Sequence, residues 1–459
     1  MKKFFTYPVF VVLFLSFIGV MGFGAIVKYH FEGGKKYQFL QKSVIFISSI
    51  PKQIKLIIKK KTIDGDYIFP LKKDFNESKI TFYPNTKSVL KKEELLLVSR
   101  FDGDLNKAVV EIRDVNNLEI LKKWEVNKNL NEIFKNTNFN NEVFKFFKRD
   151  RGPKRFYAHH PYVDKDLNLI FHSNNTPLIK VNKNNKLIWV NDDFSFHHSI
   201  NSNVDENLYY VPVHLNPFSK KVANILGKQK KDISKKINFS DDGIAKINDK
   251  GKTLFTKSIT EMLIEHGYVN RIFSTQPFKE NPIHLNDIEP VLKDTPFFKK
   301  GDLFLSLRNL SMIILYRPQE NKIIKILEGP FANQHDVDIL NDEEISIFNN
   351  NVLYTYQEKK ELEILIYNFK TNSYKKKFQN TIDKYNINTP THGLVDFLND
   401  KSGIIDDKKN GRIFYVNAEG DLIWKFNNLN KKKELYEFWW VRLINLENSK
   451  KIRELLKND

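Results

Sequence analysis

Short apolar runs recur along this chain, each closed off by Asn, Asp, Gly or Lys. Residues 168–171, 178–181 and 186–190 make one set, 302–307, 312–316 and 322–327 a second, and 403–405, 412–416 and 422–426 a third. Their β-branched and aromatic content predicts strands, and the polar turns at 182–185, 248–251 and 417–420 predict hairpins. A histidine stands ahead of several sets: His159-His160-Pro161, His197-His198-Ser199, His284-Leu285-Asn286-Asp287, Gln334-His335-Asp336 and Thr391-His392-Gly393. Seven of the eleven histidines sit in these five places. A unit of roughly 40–50 residues, repeated and built from short strands, predicts a β-propeller. A residue repeated at the start of each first strand would line the central channel, so the repeat gathers dispersed histidines into one site. A histidine-free unit fits residues 95–126. The expected count is six blades, with five or seven open because residues 435–446 offer one more strand.

The N-terminus breaks this pattern. Lys2-Lys3 precede an apolar run over residues 7–27, long enough at 1.5 Å per residue to cross a ~30 Å hydrocarbon core. The reading is a signal anchor over 1–29, with a cleaved signal peptide as runner-up and the remainder exported, to a periplasm or its equivalent. Residues 30–93 are expected to form a small membrane-proximal β-rich region, with 52–61 basic and apolar in alternation. Residues 94–459 are expected to form the propeller, which would carry the catalysis.

The net charge of +19 suggests nucleic acid, yet Lys is spread through turns rather than set in one stripe, which argues against that partner. The lysine-dense stretch 220–236 reads as an exposed inserted helix. The absence of Cys excludes thiol catalysis and disulfides.

Histidine titrates near neutrality and serves as base, acid, nucleophile or metal ligand. A repeated histidine also has a plain structural use, bridging neighbouring blades by hydrogen bonds. On a strand, positions i and i+2 face one way, so His284 and Asn286 are expected to project together. Arg308 ends an apolar strand, where a buried cation needs an anion, and its planar fork suits a sulfate or phosphate group.

The run Leu305-Ser306-Leu307-Arg308-Asn309, then Glu328-Gly329-Pro330, Gln334-His335-Asp336-Val337-Asp338 and Ile347-Phe348-Asn349-Asn350, resembles the arylsulfotransferase (aryl-sulfate sulfotransferase) family, as does His284-Leu285-Asn286-Asp287 upstream. The resemblance spans roughly residues 95–430. It implies a six-bladed, often exported propeller that moves a sulfuryl group from a phenolic sulfate ester to a phenol without a nucleotide donor, cofactor or metal. It implies that His284 and Asn286 are the family's His-x-Asn pair, Arg308 its arginine, His335 its transiently sulfated histidine and His198 the histidine one blade earlier. His392 is the alternative nucleophile. Two other readings stand beside it. One is a divalent iron ringed by His198, His284, His335 and His392; the other is a membrane-anchored scaffold binding a protein or glycan.

Overall fold

The computed structural model describes residues 6–31, 70–83, 92–138, 156–173, 175–203, 206–215, 219–226, 239–274, 280–353 and 361–457. The chain divides into two units, residues 1–67 and 68–459. In the first, the described part is one helix, α1 (Thr6–Phe31). Its segment Phe10–Tyr29 is 20 residues long with mean hydropathy 2.6, a length and composition that suit a membrane span and a signal sequence alike. The stretch 52–61 and most of the region read as membrane-proximal lie outside the described residues.

The second unit is built of antiparallel strands. β1 (Ile80–Phe82) is followed by the meander β2 (Leu95–Asp102), β3 (Lys107–Asp114) and β4 (Ile120–Glu125). Next come β5 (His159–Val163), β6 (Leu169–His172), β7 (Thr176–Val181) and β8 (Leu187–Phe196). β9 (Asn201–Asn203), β10 (Leu208–Leu215), β11 (Asp241–Asn248) and β12 (Thr253–Ser258) follow. Then come β13 (Leu285–Pro290), β14 (Leu303–Leu307), β15 (Met312–Arg317) and β16 (Lys322–Leu327). The last sets are β17 (Val337–Ile339), β18 (Glu344–Asn349), β19 (Glu363–Asn368) and β20 (Ser373–Lys377), then β21 (Val395–Phe397), β22 (Gly403–Asp407), β23 (Arg412–Val416) and β24 (Leu422–Asn427). β25 (Phe438–Ile444) returns to pair with β2.

The result is all-β and propeller-like. Hydrogen bonding divides the strands into five sheets rather than six separate ones: three of four strands, one of five and one of eight. The eight-stranded sheet arises because β8 and β10 pair over two residues, Phe196 with Val213 and Ser195 with His214, and so join two meanders. β1 lies in the stretch read as membrane-proximal, and it pairs with β24 as the fifth strand of its sheet. Of the basic stretch 220–236, Lys220–Ile225 is a helix whose Ser219 side chain caps Val222 N, while Val222 and Ala223 are buried; the lysines beyond it lie outside the described residues.

Each sheet is apolar on both faces because it is packed on both faces. On β14, Leu303, Leu305 and Leu307 join a core with β10, β11 and β15, whereas Phe304 joins the next one, with Ile345 and Ile347 of β18. On β2, Leu95 and Leu97 pack toward β6 and β7, and Leu96 and Val98 toward β23 and β24. Hence the strands read as continuous apolar runs rather than as alternating ones. Truncating a fully buried residue such as Leu305 to Ala is expected to cost about 2–5 kcal/mol.

The turns obey the chemistry read from the sequence. Asn182 Oδ1 accepts from Asn184 N and Lys186 N, and Asn248 Oδ1 accepts from Lys250 N and Lys252 N. Gly251 has φ +79, and a Cβ there would meet the Trp189 ring at 2.6 Å, so both conformation and space demand glycine.

Carboxylates of the inner strands clasp the following sheet. Asp287 accepts from Val337 N at 3.0 Å, Asp336 accepts from Val395 N at 3.2 Å, and Asp396 accepts from Leu443 N. These acids come shortly after His284, His335 and His392 in sequence, so a stretch read for chemistry also holds the ring together.

Candidate active site

Each cluster histidine enters from the start of an inner strand or the turn just before it. His159 and His160 open β5, His197 and His198 link β8 to β9, and His284, His335 and His392 precede β13, β17 and β21. His160, His198, His284 and His392 share a left-handed backbone, with φ +42, +59, +56 and +67. Such a conformation is uncommon outside Gly and costs on the order of 1–2 kcal/mol, and its repetition marks equivalent positions.

The rings meet. His198 lies 4.8 Å from His284 and 6.5 Å from His335 between centroids, and His335 lies 5.9 Å from His392. His159 closes the set, 5.9 Å from His198 and 5.5 Å from His392. His160 instead stacks on Trp440 at 4.2 Å. The side chain that joins the cluster from β5 is therefore His159, one residue before the position that the repeat singled out.

Burial makes these imidazoles weak bases, and neighbouring positive groups add to it. His335 falls to about 3, through burial and then the Arg308 guanidinium, and burial lowers His284 to about 4. His159, His198 and His392 also lie well below the ordinary value, burial again leading. At neutral pH all are free bases with a lone pair to offer.

Hydrogen bonds assign the tautomers. Asn350 donates through Nδ2 to Thr389 O at 2.7 Å and His392 O at 2.8 Å, so its Oδ1 accepts from His335 Nδ1 at 2.6 Å. The His335 lone pair is thereby on Nε2, where it accepts from His392 N at 2.9 Å. Asn281 donates to His284 Nδ1 at 2.8 Å, which leaves the proton of His284 on Nε2. Arg308, in the 3-10 turn after β14, is 9% exposed and donates to Asn309 Oδ1 at 2.7 Å; among the described residues it has no carboxylate partner.

The i, i+2 argument for His284 and Asn286 does not describe their placement. His284 precedes the strand in a left-handed conformation, and the ladder slips between Leu285 and Asp287. Asn286 turns instead to the next sheet, donating to Gln334 O at 2.9 Å beside His335, while its buried Oδ1 has no partner.

Several polar groups carried no sequence signal as single residues. Asn350 was legible only as part of a motif. His172 ends β6 with Nδ1 2.8 Å from Ser173 O and Nε2 3.1 Å from His198 O, and as a neutral imidazole it donates to one of the two carbonyls. Lys408 opens the 3-10 turn after β22, as Arg308 does after β14, and comparing the sets position by position would have found it. It is 2% exposed, its Nζ lies 5.6 Å over the Trp440 ring, and burial, followed by Lys409, lowers its amine to about 7.

Solved structures with similar traces include a protein of unknown function from Bacteroides caccae, 11% identical with a TM-score of 0.46, over 77% of this chain and 99% of that one. Virginiamycin B lyase from Staphylococcus aureus is 12% identical with a TM-score of 0.32, over 58% and 69%. Hydrazine synthase from Kuenenia stuttgartiensis is 11% identical with a TM-score of 0.38, over 73% and 80%. No curated protein matches the sequence. The family model described as Arylsulfotransferase (ASST) matches residues 160–429, which include His198, His284, Arg308, His335 and His392. The chain is therefore a member of the arylsulfotransferase family.

Proposed function

We propose that this protein is an aryl-sulfate sulfotransferase that carries a sulfuryl group from a phenolic sulfate ester to a phenol through a sulfated His335, in an exported six-bladed propeller held by α1. One observation carries the reading: neutral imidazoles are gathered around an arginine that has no carboxylate partner among the described residues. A buried cation of that kind is a receptor for an anion. Six apolar cores, one between each successive pair of meanders, favour the count of six, with β5–β8 and β9–β12 taken as two blades.

In the first displacement the Nε2 lone pair of His335 attacks sulfur, the N–S bond forms and the S–O bond to the phenol breaks. His284 Nε2–H donates a hydrogen bond to the departing phenolate oxygen and stabilises its charge, with His198 as its neighbour in that role. In the second, the acceptor attacks sulfur as its phenolate, held by the same N–H, and the N–S bond breaks with its electron pair returning to His335 Nε2. Arg308 and Asn286 hold the sulfuryl oxygens throughout. Asn350 keeps the His335 proton on Nδ1, which leaves Nε2 as the nucleophile. Because His392 N caps that nitrogen, the turn at 391–393 must shift as sulfur approaches, and the freed N–H then faces a sulfuryl oxygen.

A second reading assigns the nucleophile to His392. Its favouring observation is that both His335 nitrogens are engaged, whereas His392 bonds only through Nδ1, to Thr391 Oγ1 at 3.2 Å, among the described residues. The test uses the full-length chain, a chromogenic aryl sulfate and a phenol acceptor. Protein quenched with donor alone is expected to yield a sulfated peptide containing His335, and His335→Ala to abolish both half-reactions. Arg308→Lys is expected to lower the rate about 10²–10³-fold, the scale of one lost oxyanion donor. A label on His392 selects the second reading. No label, with transfer intact in His335→Ala, would falsify the mechanism.

A further inference from the structure

We infer that His197, His214 and Asp242 form a site for a divalent transition-metal ion at the edge of the histidine cluster. One ligand atom from each lies within 4.8 Å of the others, and no other such group of histidines and carboxylates occurs among the described residues. The fold sets up this juxtaposition. His214 on β10 and Asp242 on β11 are direct cross-strand partners, and His197 is drawn over them by its N–H bond to Pro212 O at 3.1 Å. Leu285 N anchors Asp242 Oδ2 at 2.8 Å, so Oδ1 is the oxygen that faces the rings. The two imidazoles stack at 4.1 Å.

A second observation points to a ligand. His197 is 3% exposed, and its buried Nε2 has no hydrogen-bond partner while lying 3.8 Å from Asp242 Oδ1. Leaving such an atom unpaired costs about 1–3 kcal/mol. An ion bound there removes the deficit. Bonds of about 2.0–2.2 Å place tetrahedral ligands roughly 3.3–3.5 Å apart, so a small closure of the three groups completes the shell. Two imidazoles with one carboxylate favour zinc-class ions over calcium or magnesium. The ion takes the place of the hydrogen bond between His214 Nδ1 and Asp242 Oδ1 at 2.8 Å, and the imidazole then holds its proton on Nε2.

The site bears on its neighbour. With the ion on Nε2, His197 keeps its proton on Nδ1, which donates to His198 Nδ1 at 2.8 Å. His198 then carries its own proton on Nε2, as a donor toward the cluster. This last consequence rests on the sulfotransferase reading; the site itself does not.

Titration of the full-length chain in detergent with cobalt(II) is expected to give one equivalent bound with visible d–d bands, displaced by zinc. His214→Ala and Asp242→Asn are expected to weaken that affinity by more than about 100-fold. The control His266→Ala, whose ring bonds Met262 O, is expected to bind as wild type does. Zinc should raise the melting temperature of wild type and of His266→Ala but not of His214→Ala, and the melting transitions themselves report that each variant is folded. Absence of stoichiometric cobalt, or equal binding by His214→Ala and Asp242→Asn, overturns the assignment. Phenol release and the sulfated peptide are scored separately, so transfer that persists without metal binding refutes the site and leaves the transferase reading untouched.

Discussion

Asn350 and Asn349 make a matched pair that separates chemistry from packing. Both are fully buried. Asn349 binds Ala332 N at 2.9 Å, Asn351 N at 3.0 Å and Glu363 Oε2 at 2.9 Å, and touches no histidine. Asn350 binds Thr389 O, His392 O and His335 Nδ1. Truncating either to Ala strands at least three partners that are buried or half-buried. At roughly 1 kcal/mol for each, both variants should lose about 3 kcal/mol of stability, measured by urea unfolding. Only Asn350→Ala removes the acceptor that holds the His335 proton on Nδ1, leaving His392 N as the one remaining hydrogen-bond partner of the ring among the described residues. Transfer by the folded fraction of that variant should fall by about 10²-fold or more, the scale of losing one preorganised partner, while Asn349→Ala should stay within a few-fold of wild type. The assay is aryl sulfate turnover at a temperature where both variants are folded by circular dichroism. Equal loss of transfer in the two variants would refute the idea that Asn350 sets the tautomer of a nucleophile.

Three further outcomes are expected. The Lys408 amine is lowered to about 7, so between that pH and 10.5 the unfolded chain binds more protons and stability rises with pH; above the Asp406 carboxyl, raised to about 8, wild type should gain on Lys408→Met by up to roughly 1.4 kcal/mol per pH unit, and parallel curves would contradict this. Burial lowers His172 from 6.5 to about 4, so its contribution is complete above 6.5 and is lost as pH falls toward 4; relative to His172→Gln, wild type should lose roughly 3 kcal/mol across that window, and a constant difference would count against it. A C-terminal reporter active only in the cytoplasm should be silent if α1 directs the propeller across the membrane, and a bright signal would contradict export.

How much of this was legible depends on the length scale. The strand sets, the Asn-led turns and the apolar N-terminal helix follow from local pattern, which the chain states plainly. The recurrence of histidine located the cluster because an all-β repeat converts spacing in sequence into proximity in space. What pattern could not supply was backbone conformation. Alternation predicted one face for His284 and Asn286, yet a left-handed residue and a ladder slip redirect them. The same limit hid the exchange of His160 for His159: both rings meet Trp440, His160 stacked on it at 4.2 Å and His159 tilted against it at 5.0 Å. Asn350 and Asp242 act through partners on other sheets, and Lys408 shows only when the sets are compared position by position. The pairing of β8 with β10 likewise depends on two residues that no periodicity marks.

β25 sits between β2 and the interior of the ring, although it is made hundreds of residues later in synthesis. Until it arrives, β2 offers an unpaired strand edge and the core shared by Leu96, Val98, Trp440 and Val441 stays open. Leu95 N waits in the same way for Ser449 Oγ, at 3.0 Å in the finished structure. The meanders in between can form in order as they emerge, but the ring itself acquires its tension and its shielding in one late event. If α1 directs the propeller across the membrane, the seam can close only once residues 438–444 have crossed. The seam at β2 and β25 is a clock as much as a joint: it ties assembly of the cluster to completion of the chain.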